Sequence, residues 1–349
     1  MMNELNDREK SILRSIVHQF ILTAAPVGSR NIVKKYDLGF SPATVRNIMS
    51  DLEESGYINH PHTSAGRIPT DKGYRFYVDT LMDIRMPDTA EVELINRELE
   101  ISQKDTDEIL NLTSNILSKI TNQIACVTYP RLDTGVLEKI QLVSLSSIKV
   151  LVVISIKSGL VKTITLELLS EIKPSQINEV QNLLNERLSG LTFAEIRNTF
   201  GDRFRDVIDD HKSIIRLFVD SVDKIFRDFK QNDRLVLTGA KNVIKQPEFE
   251  DPGKFQSIIE LIEDKDIIIH ILEKSGEMIQ DQVFISIGSE NEDRKLNEYS
   301  FVSKEYSLGG TSGTLGIIGP KRMEYPKVVA IVDYVAKMLS ELLTNTNSK

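Results

Sequence analysis

Ser41-Pro42-Ala43-Thr44-Val45-Arg46-Asn47-Ile48-Met49-Ser50-Asp51-Leu52-Glu53 is the stretch on which the N-terminal part of this chain turns. Ser41 suits a helix N-cap and Pro42 the first helical position, where the missing N–H costs nothing. Val45, Ile48, Met49 and Leu52 recur at helical spacing and are expected to face a core. The opposite face carries Ala43, Arg46, Asn47 and Ser50, with Thr44 on the flank. Gly56 ends the helix. Upstream, Asn6 and Glu9 have capping-box spacing. Ile12, Leu13, Ile16, Val17, Phe20 and Ile21 then form one apolar stripe, and Pro26 stops that helix. Ser29 is expected to cap a short second helix with Ile32, Val33 and Tyr36 inward, and Asp37 to Phe40 supply a turn. Downstream, Tyr57-Ile58-Asn59 and Gly66-Arg67-Ile68-Pro69 flank a polar loop as in a hairpin. Thr70 then caps a fourth helix carrying Tyr74, Tyr77, Val78 and Leu81.

Helix, turn, helix, short hairpin and helix is the order of a winged helix-turn-helix, which places its second helix in the DNA major groove. The outward residues fit that task. Arg pairs with two acceptors of guanine, Asn with adenine, and Ala or Thr methyls suit the thymine methyl. Ser41 and the free amides of the first turn suit a phosphate. The same face could be an ordinary solvated surface, and the loop weighs against that. His60, His62, Thr63, Ser64 and Arg67 bring imidazoles, hydroxyls and a guanidinium, with no acid between His60 and Thr70. Such groups donate to phosphate oxygens or the minor-groove floor. The His60-x-His62 spacing lacks the Cys or nearby carboxylates that would complete a four-ligand metal site.

The net charge of −8 looks wrong for a nucleic-acid binder until it is divided. Residues 1–82 hold ten Lys and Arg against nine Asp and Glu, so the negative charge lies in the rest. DNA responds to the local field at the contact. A length of 349 residues allows two or three domains. No run approaches the ~20 apolar residues of a membrane span, and the polar start, Met1 to Lys10, has no secretory h-region. One cysteine, Cys126, excludes an internal disulfide and fits a reducing compartment. The chain is expected to be cytoplasmic, with no membrane partner.

Residues 84–108 are polar and acidic and are expected to form a partly helical link. A helix with Ile109, Leu112, Ile116, Leu117 and Ile120 follows, then strands over Lys139–Leu145, Lys149–Ile156 and Leu160–Leu166. From Glu171 to Glu250 the pattern is helical. Later strands are expected at Asp266–Leu272, Gln282–Ile287, Tyr299–Ser303 and Gly313–Ile318, before a last helix through Val328, Val335 and Leu342. Strands, helices and strands again indicate a multidomain α+β chain whose second domain is interrupted by a mainly helical insertion. Boundaries are expected at 1–83, 84–108, 109–170 with 251–349, and 171–250.

Other constellations are structural. The glycines from Gly309 to Gly319 lack phosphate-loop spacing. Asp209, Asp210 and His211 point in different directions on a helix, His270 sits in an apolar run, and Cys126 suits a core. No nucleophile, base and orienter converge, so neither an enzyme nor a cofactor is expected.

Ser41–Glu53, Gly56-Tyr57-Ile58 and His62 to Asp79 together resemble the HrcA family of heat-inducible transcription repressors. Ser300-Phe301-Val302 with Tyr306, and Gly313 to Tyr325, resemble that family's C-terminal signature. The resemblance is weakest over 170–250. It implies a repressor of chaperone operons that binds an inverted-repeat operator, the CIRCE element. The implied fold is a winged helix, a GAF-like domain and a dimerising domain inserted into the latter. It also implies help from the GroEL chaperonin in reaching the active form. A winged-helix regulator controlled by a small effector in the GAF-like domain is the alternative. An inverted repeat calls for a two-fold symmetric protein. One helix from Phe204 to Phe229 is expected to supply the contact, because Phe204, Ile208, His211, Ile215, Phe218, Val222 and Ile225 alternate at steps of four and three.

Overall fold

The computed structural model describes residues 5–61, 66–99, 106–167, 171, 174–207, 212–227, 234–278 and 282–346. Helix α1 (Asp7–Thr23) starts at a complete capping box. The Asn6 side chain accepts from Glu9 N–H at 3.0 Å, and Glu9 accepts from Asn6 N–H at 2.8 Å. It ends where Ala24 turns left-handed at φ 52. Helix α2 (Ser29–Lys35) has Gly28 rather than Ser29 at its N-cap, with no side-chain cap bond. Helix α3 (Pro42–Glu54) opens as its sequence dictates, with Ser41 Oγ accepting from Thr44 N–H at 3.1 Å. Strand β1 (Ile58–Asn59) pairs antiparallel with β2 (Ile68–Pro69), and Thr70 caps α4 (Asp71–Phe76). A π-turn, Tyr77–Leu81, ends this module.

The polar stretch that follows is more ordered than a free link. Helix α5 (Thr89–Leu99) packs on α6 (Thr106–Thr121) through buried Ile95 and Leu99. Glu91 pairs with Lys327 at 2.8 Å, and Tyr334 donates to Asn96 at 3.2 Å.

Strand β3 (Ile124–Thr128) lies inside a five-stranded antiparallel sheet. It neighbours β7 (Leu235–Thr238) and β10 (Thr311–Pro320), beyond which lie β9 (Tyr299–Leu308) and the edge strand β8 (Phe284–Ile287). Side chains alternate across it. Ala125, Val127, Leu315 and Ile317 face α6 and the final helix α14 (Tyr325–Thr346). Ile124, Cys126, Phe301 and Ile318 face α12 (Pro252–Glu263) and α13 (Lys265–Met278). Helix α11 (Ala240–Val243) adds Val243 to that second layer. Burial pushes the Cys126 thiol up, in keeping with a core role.

A separate three-stranded antiparallel sheet comprises β4 (Leu137–Ser146), β5 (Lys149–Ile156) and β6 (Val161–Glu167). Its inner face packs on α7 (Pro174–Leu188), α8 (Phe193–Arg203), α9 (Lys212–Asp220) and α10 (Val222–Phe226). Asn185 serves the free edge of β4, accepting from Ile140 N–H at 2.7 Å and donating to Ile140 O at 2.8 Å. Gln181 accepts from Leu142 N–H at 2.9 Å.

Several expectations are corrected. Asp266–Leu272 is part of helix α13, not a strand. Its β-branched run favours extended backbone, but Ile268, Ile269 and Leu272 are buried together at helical spacing, and that packing wins. The boundary at 171 moves, because β4–β6 form their own sheet with the helices after them, while β7 belongs to the five-stranded sheet. The single helix from Phe204 to Phe229 does not form. Phe204 closes α8, Ile215 and Phe218 lie on α9, and Ser221 breaks the path before Val222 and Ile225 on α10. Phe204, Ile215, Phe218 and Ile225 are 4%, 4%, 1% and 0% exposed within their own chain, and Val222 is half-buried. Phe200 stacks on Phe204 at 4.6 Å, and Phe193 meets Phe226 edge-on at 5.4 Å. The stripe was broad because it serves an internal core. Ile208 and His211 lie outside the described residues.

Candidate nucleic-acid interface

Helix α3 has two unlike faces. Val45, Ile48, Met49 and Leu52 are buried against α1 and α2. Ala43, Arg46, Asn47 and Ser50 are exposed on the other side, where no described residue bonds to the Arg46, Asn47 or Ser50 side chains. Thr44 is half-buried, its hydroxyl 3.0 Å from Ser41 Oγ, so this pair is already occupied with closing the helix start. One guanidinium, one carboxamide and one hydroxyl are thus held by a rigid backbone and left open to an outside partner. A solvated face of this composition matches base edges better than it matches an apolar partner. Arg30, Asn31, Lys34 and Lys35 of α2 are also exposed. This surplus of lysine and arginine on one short helix, visible in the sequence, suits a phosphate-facing surface.

The loop between β1 and β2 is anchored at its root. Val27 and Arg67 exchange backbone hydrogen bonds at 2.8 and 2.9 Å. A Cβ on Gly66 would lie 2.6 Å from the Val27 carbonyl carbon, so only glycine permits this approach. Glu53, from the last turn of α3, reaches the two basic side chains at the described ends of the loop. It bonds His60 Nδ1, and its Oε2 lies 2.7 Å from Arg67 Nη2. Burial pushes the Glu53 carboxyl up, but hydrogen bonds from His60 and Arg67 and the positive charge beside it hold it below the ordinary glutamate range. The acid absent from the loop in sequence is therefore supplied in space. Arg67 and His60 are brought together, but braced on Glu53 rather than projecting freely. His62, Thr63 and Ser64 lie outside the described residues.

Elsewhere the chemistry is sparse. Among the described residues no cluster of His, Cys, Asp and Glu could hold a metal ion, and no helix is long and apolar enough to cross a membrane. A cleft of about 990 Å³ opens between α13 and β8, walled by Ile267, Ile271, Phe284, Ile285 and Leu296. Much of its polar rim is already engaged: Lys274 pairs with Glu292, and Asn291 is bonded to Ser286, Gly288 and Tyr299.

Comparison with known proteins bears on both halves of the chain. Residues 107–329 match the family model described as HrcA protein C terminal domain. The heat-inducible transcription repressor HrcA of Chlorobium phaeobacteroides (strain BS1) is 42% identical over 99% of this chain and 100% of its own length. That of Prosthecochloris aestuarii is 41% identical over 99% of both. A crystal structure of a hypothetical protein aligns over 98% of this chain and 100% of its own, with a TM-score of 0.61 and 24% identity, a likeness of fold alone. The relatives therefore extend past the matched C-terminal region to include α3 and its open polar face, and on that breadth the chain belongs to the HrcA family of heat-inducible transcription repressors.

Proposed function

We propose that residues 1–83 act as a winged helix-turn-helix that sets α3 into the major groove of an inverted-repeat operator, the CIRCE element of this family. The protein works as a cytoplasmic homodimer repressing chaperone genes, and GroEL helps it into the operator-binding form. Residues 84–108 connect the module to a GAF-like domain built on the five-stranded sheet. The three-stranded unit is the inserted dimerising domain. One observation carries the DNA-binding reading: α3 is buried along Val45, Ile48, Met49 and Leu52 and open along Ala43, Arg46, Asn47 and Ser50. Arg46 and Asn47 read bases, with Ala43 and Thr44 toward thymine methyls. Ser41, Ser50, His60, His62, Thr63, Ser64 and Arg67 position the backbone. In a gel-shift titration Arg46→Ala should weaken specific binding by roughly 1–3 kcal/mol and relax preference at one base pair. Unchanged affinity would refute the assignment.

The dimer contact moves from the helices to the outer face of β4–β6. Cross-strand rows Val143–Leu151–Thr165, Gln141–Val153–Thr163 and Lys139–Ser155–Val161 share that face. Val143 and Val161 are 46% and 56% exposed there. An exposed sheet face that carries Val143, Leu151, Val153 and Val161 among Thr, Ser, Gln and Lys suits a second copy of itself, which a two-fold operator requires. Leu151→Asp should give a monomer by sedimentation, with the operator bound more weakly and α3 still folded. A dimer of unchanged affinity would exclude this face. The cleft beside α13 favours a second reading, control by a small effector, and a thermal-shift screen against nucleotides and metabolites tests it.

A further inference from the structure

Asp71 and Arg75 stand one turn apart on α4 and both reach across to the body of the protein. Asp71 Oδ1 lies 2.8 Å from Lys321 Nζ, and Oδ2 accepts from Ser289 N–H at 2.9 Å. Gly288 has φ +54, and a Cβ there would sit 2.4 Å from Asp71 Oδ2, so the approach requires a residue without one. Arg75 donates through Nε to Glu290 Oε1 at 2.7 Å and through Nη2 to Ile285 O at 2.8 Å, a carbonyl of edge strand β8. Glu290 is held in turn by Ile287 N–H at 2.8 Å. Arg322 adds a bond from the body to Ile21 O at 2.6 Å, at the end of α1.

These contacts run without a gap to the DNA-facing helix. Thr70, the residue before Asp71, accepts from Gly73 N–H at 3.1 Å and donates to Gly56 O at 2.7 Å, just past the end of α3. The covalent route, by contrast, passes through residues 82–88, which carry no regular secondary structure. On that segment alone the module would turn freely. The side chains of Asp71 and Arg75 are spent on the body, so neither is available to DNA.

We propose that Asp71 and Arg75 are positioning residues for operator binding: they fix the angle at which the body presents α3, so that the two helices of a dimer meet both half-sites together. The inference rests on the dimeric, two-half-site reading above. A second contact adds affinity only where the linkage holds it in register, and a free swivel forfeits part of that gain.

The test uses the full chain, a duplex enriched by the wild-type protein from a random pool, and the same duplex with one half-site scrambled. Arg75→Ala and, from the body side, Glu290→Gln should each weaken binding to the intact duplex about tenfold. Binding to the scrambled duplex should change less than about twofold by the same reasoning. Charge exchange, Arg75→Glu with Glu290→Arg, should recover most of the loss. Lys321→Met provides an independent cut should one variant fail to fold, and sedimentation checks that each remains a dimer. Equal losses on both duplexes, no loss on either, or tighter binding would overturn the proposal. A wild-type chain that binds both duplexes alike overturns the two-half-site reading itself, and this inference with it.

Discussion

Replacing Gly73 with alanine should destabilise the N-terminal module, although alanine is the better helix former. On propensity alone the change favours the folded state by up to about 1 kcal/mol. Against that, the added Cβ would stand 2.1 Å from Tyr57 O, a backbone atom that cannot rotate away. Ordinary contact demands that α4 and β1 separate by about an ångström, the kind of overpacking that costs roughly 1–3 kcal/mol. Tyr57 O also accepts from Thr70 N–H and Thr70 Oγ1, each at 3.1 Å. Displacing it endangers a hydrogen bond worth about 1 kcal/mol. The net expectation is a loss of roughly 1–3 kcal/mol. Because Thr70 ties α4 to Gly56 at the end of α3, DNA affinity should fall with it. Denaturant titration of the full chain, monitored by a probe in the module, reads the first effect, and a gel shift reads the second. A Gly73→Ala protein that is more stable than the parent would refute the reasoning, since propensity would then have outweighed the contact.

Glu53→Gln should weaken the module at neutral pH, and the difference from wild type should shrink on acidification. The folded carboxyl lies below its ordinary value of about 4.5, so its contribution is full above that value and is lost as pH falls through the folded one. Stability measured at pH 7 and pH 3.5 checks the sign, and a gap that widens in acid would contradict it. Phe218→Asp, placed in the core beneath the three-stranded sheet rather than on a surface, should destabilise that unit by about 3–5 kcal/mol instead of merely dissociating a dimer. Calorimetry distinguishes the two, and an intact unit with a monomeric chain would restore the helix as the contact.

The N-terminal module was largely legible because its signals are local. Asn6 with Glu9, Ser41 with Pro42, and Thr70 each announce a helix start within three residues of the groups they satisfy. The open and buried faces of α3 follow from period alone. What sequence hid depends on partners far along the chain. Ile124 to Thr128 is an apolar run too short to separate from the preceding helix until β10 and β7 flank it. Ile267-Ile268-Ile269 favours a strand locally, yet packs as a helix on the sheet. Glu53 sits seven residues before His60 and fourteen before Arg67, so the brace at the loop root appears only once the ribbon folds back. The phenylalanines between Phe193 and Phe226 show most plainly that an apolar stripe reports burial without saying against what.

The side-chain amides of Asn185 and Gln181 along β4 have a consequence for how the protein ages. An exposed strand edge invites pairing with other chains, and such growth has no natural end, whereas association through a sheet face closes after two copies. Asn185 blocks the edge only while it can both donate to and accept from Ile140. Hydrolysis of its amide to a carboxylate, a slow reaction hastened by heat, would remove the donor and set a negative charge against the Ile140 carbonyl. The edge would then lose its cover at Ile140 and keep only that of Gln181 at Leu142. In a protein whose family answers to heat, one carboxamide thus carries part of the protection of this edge.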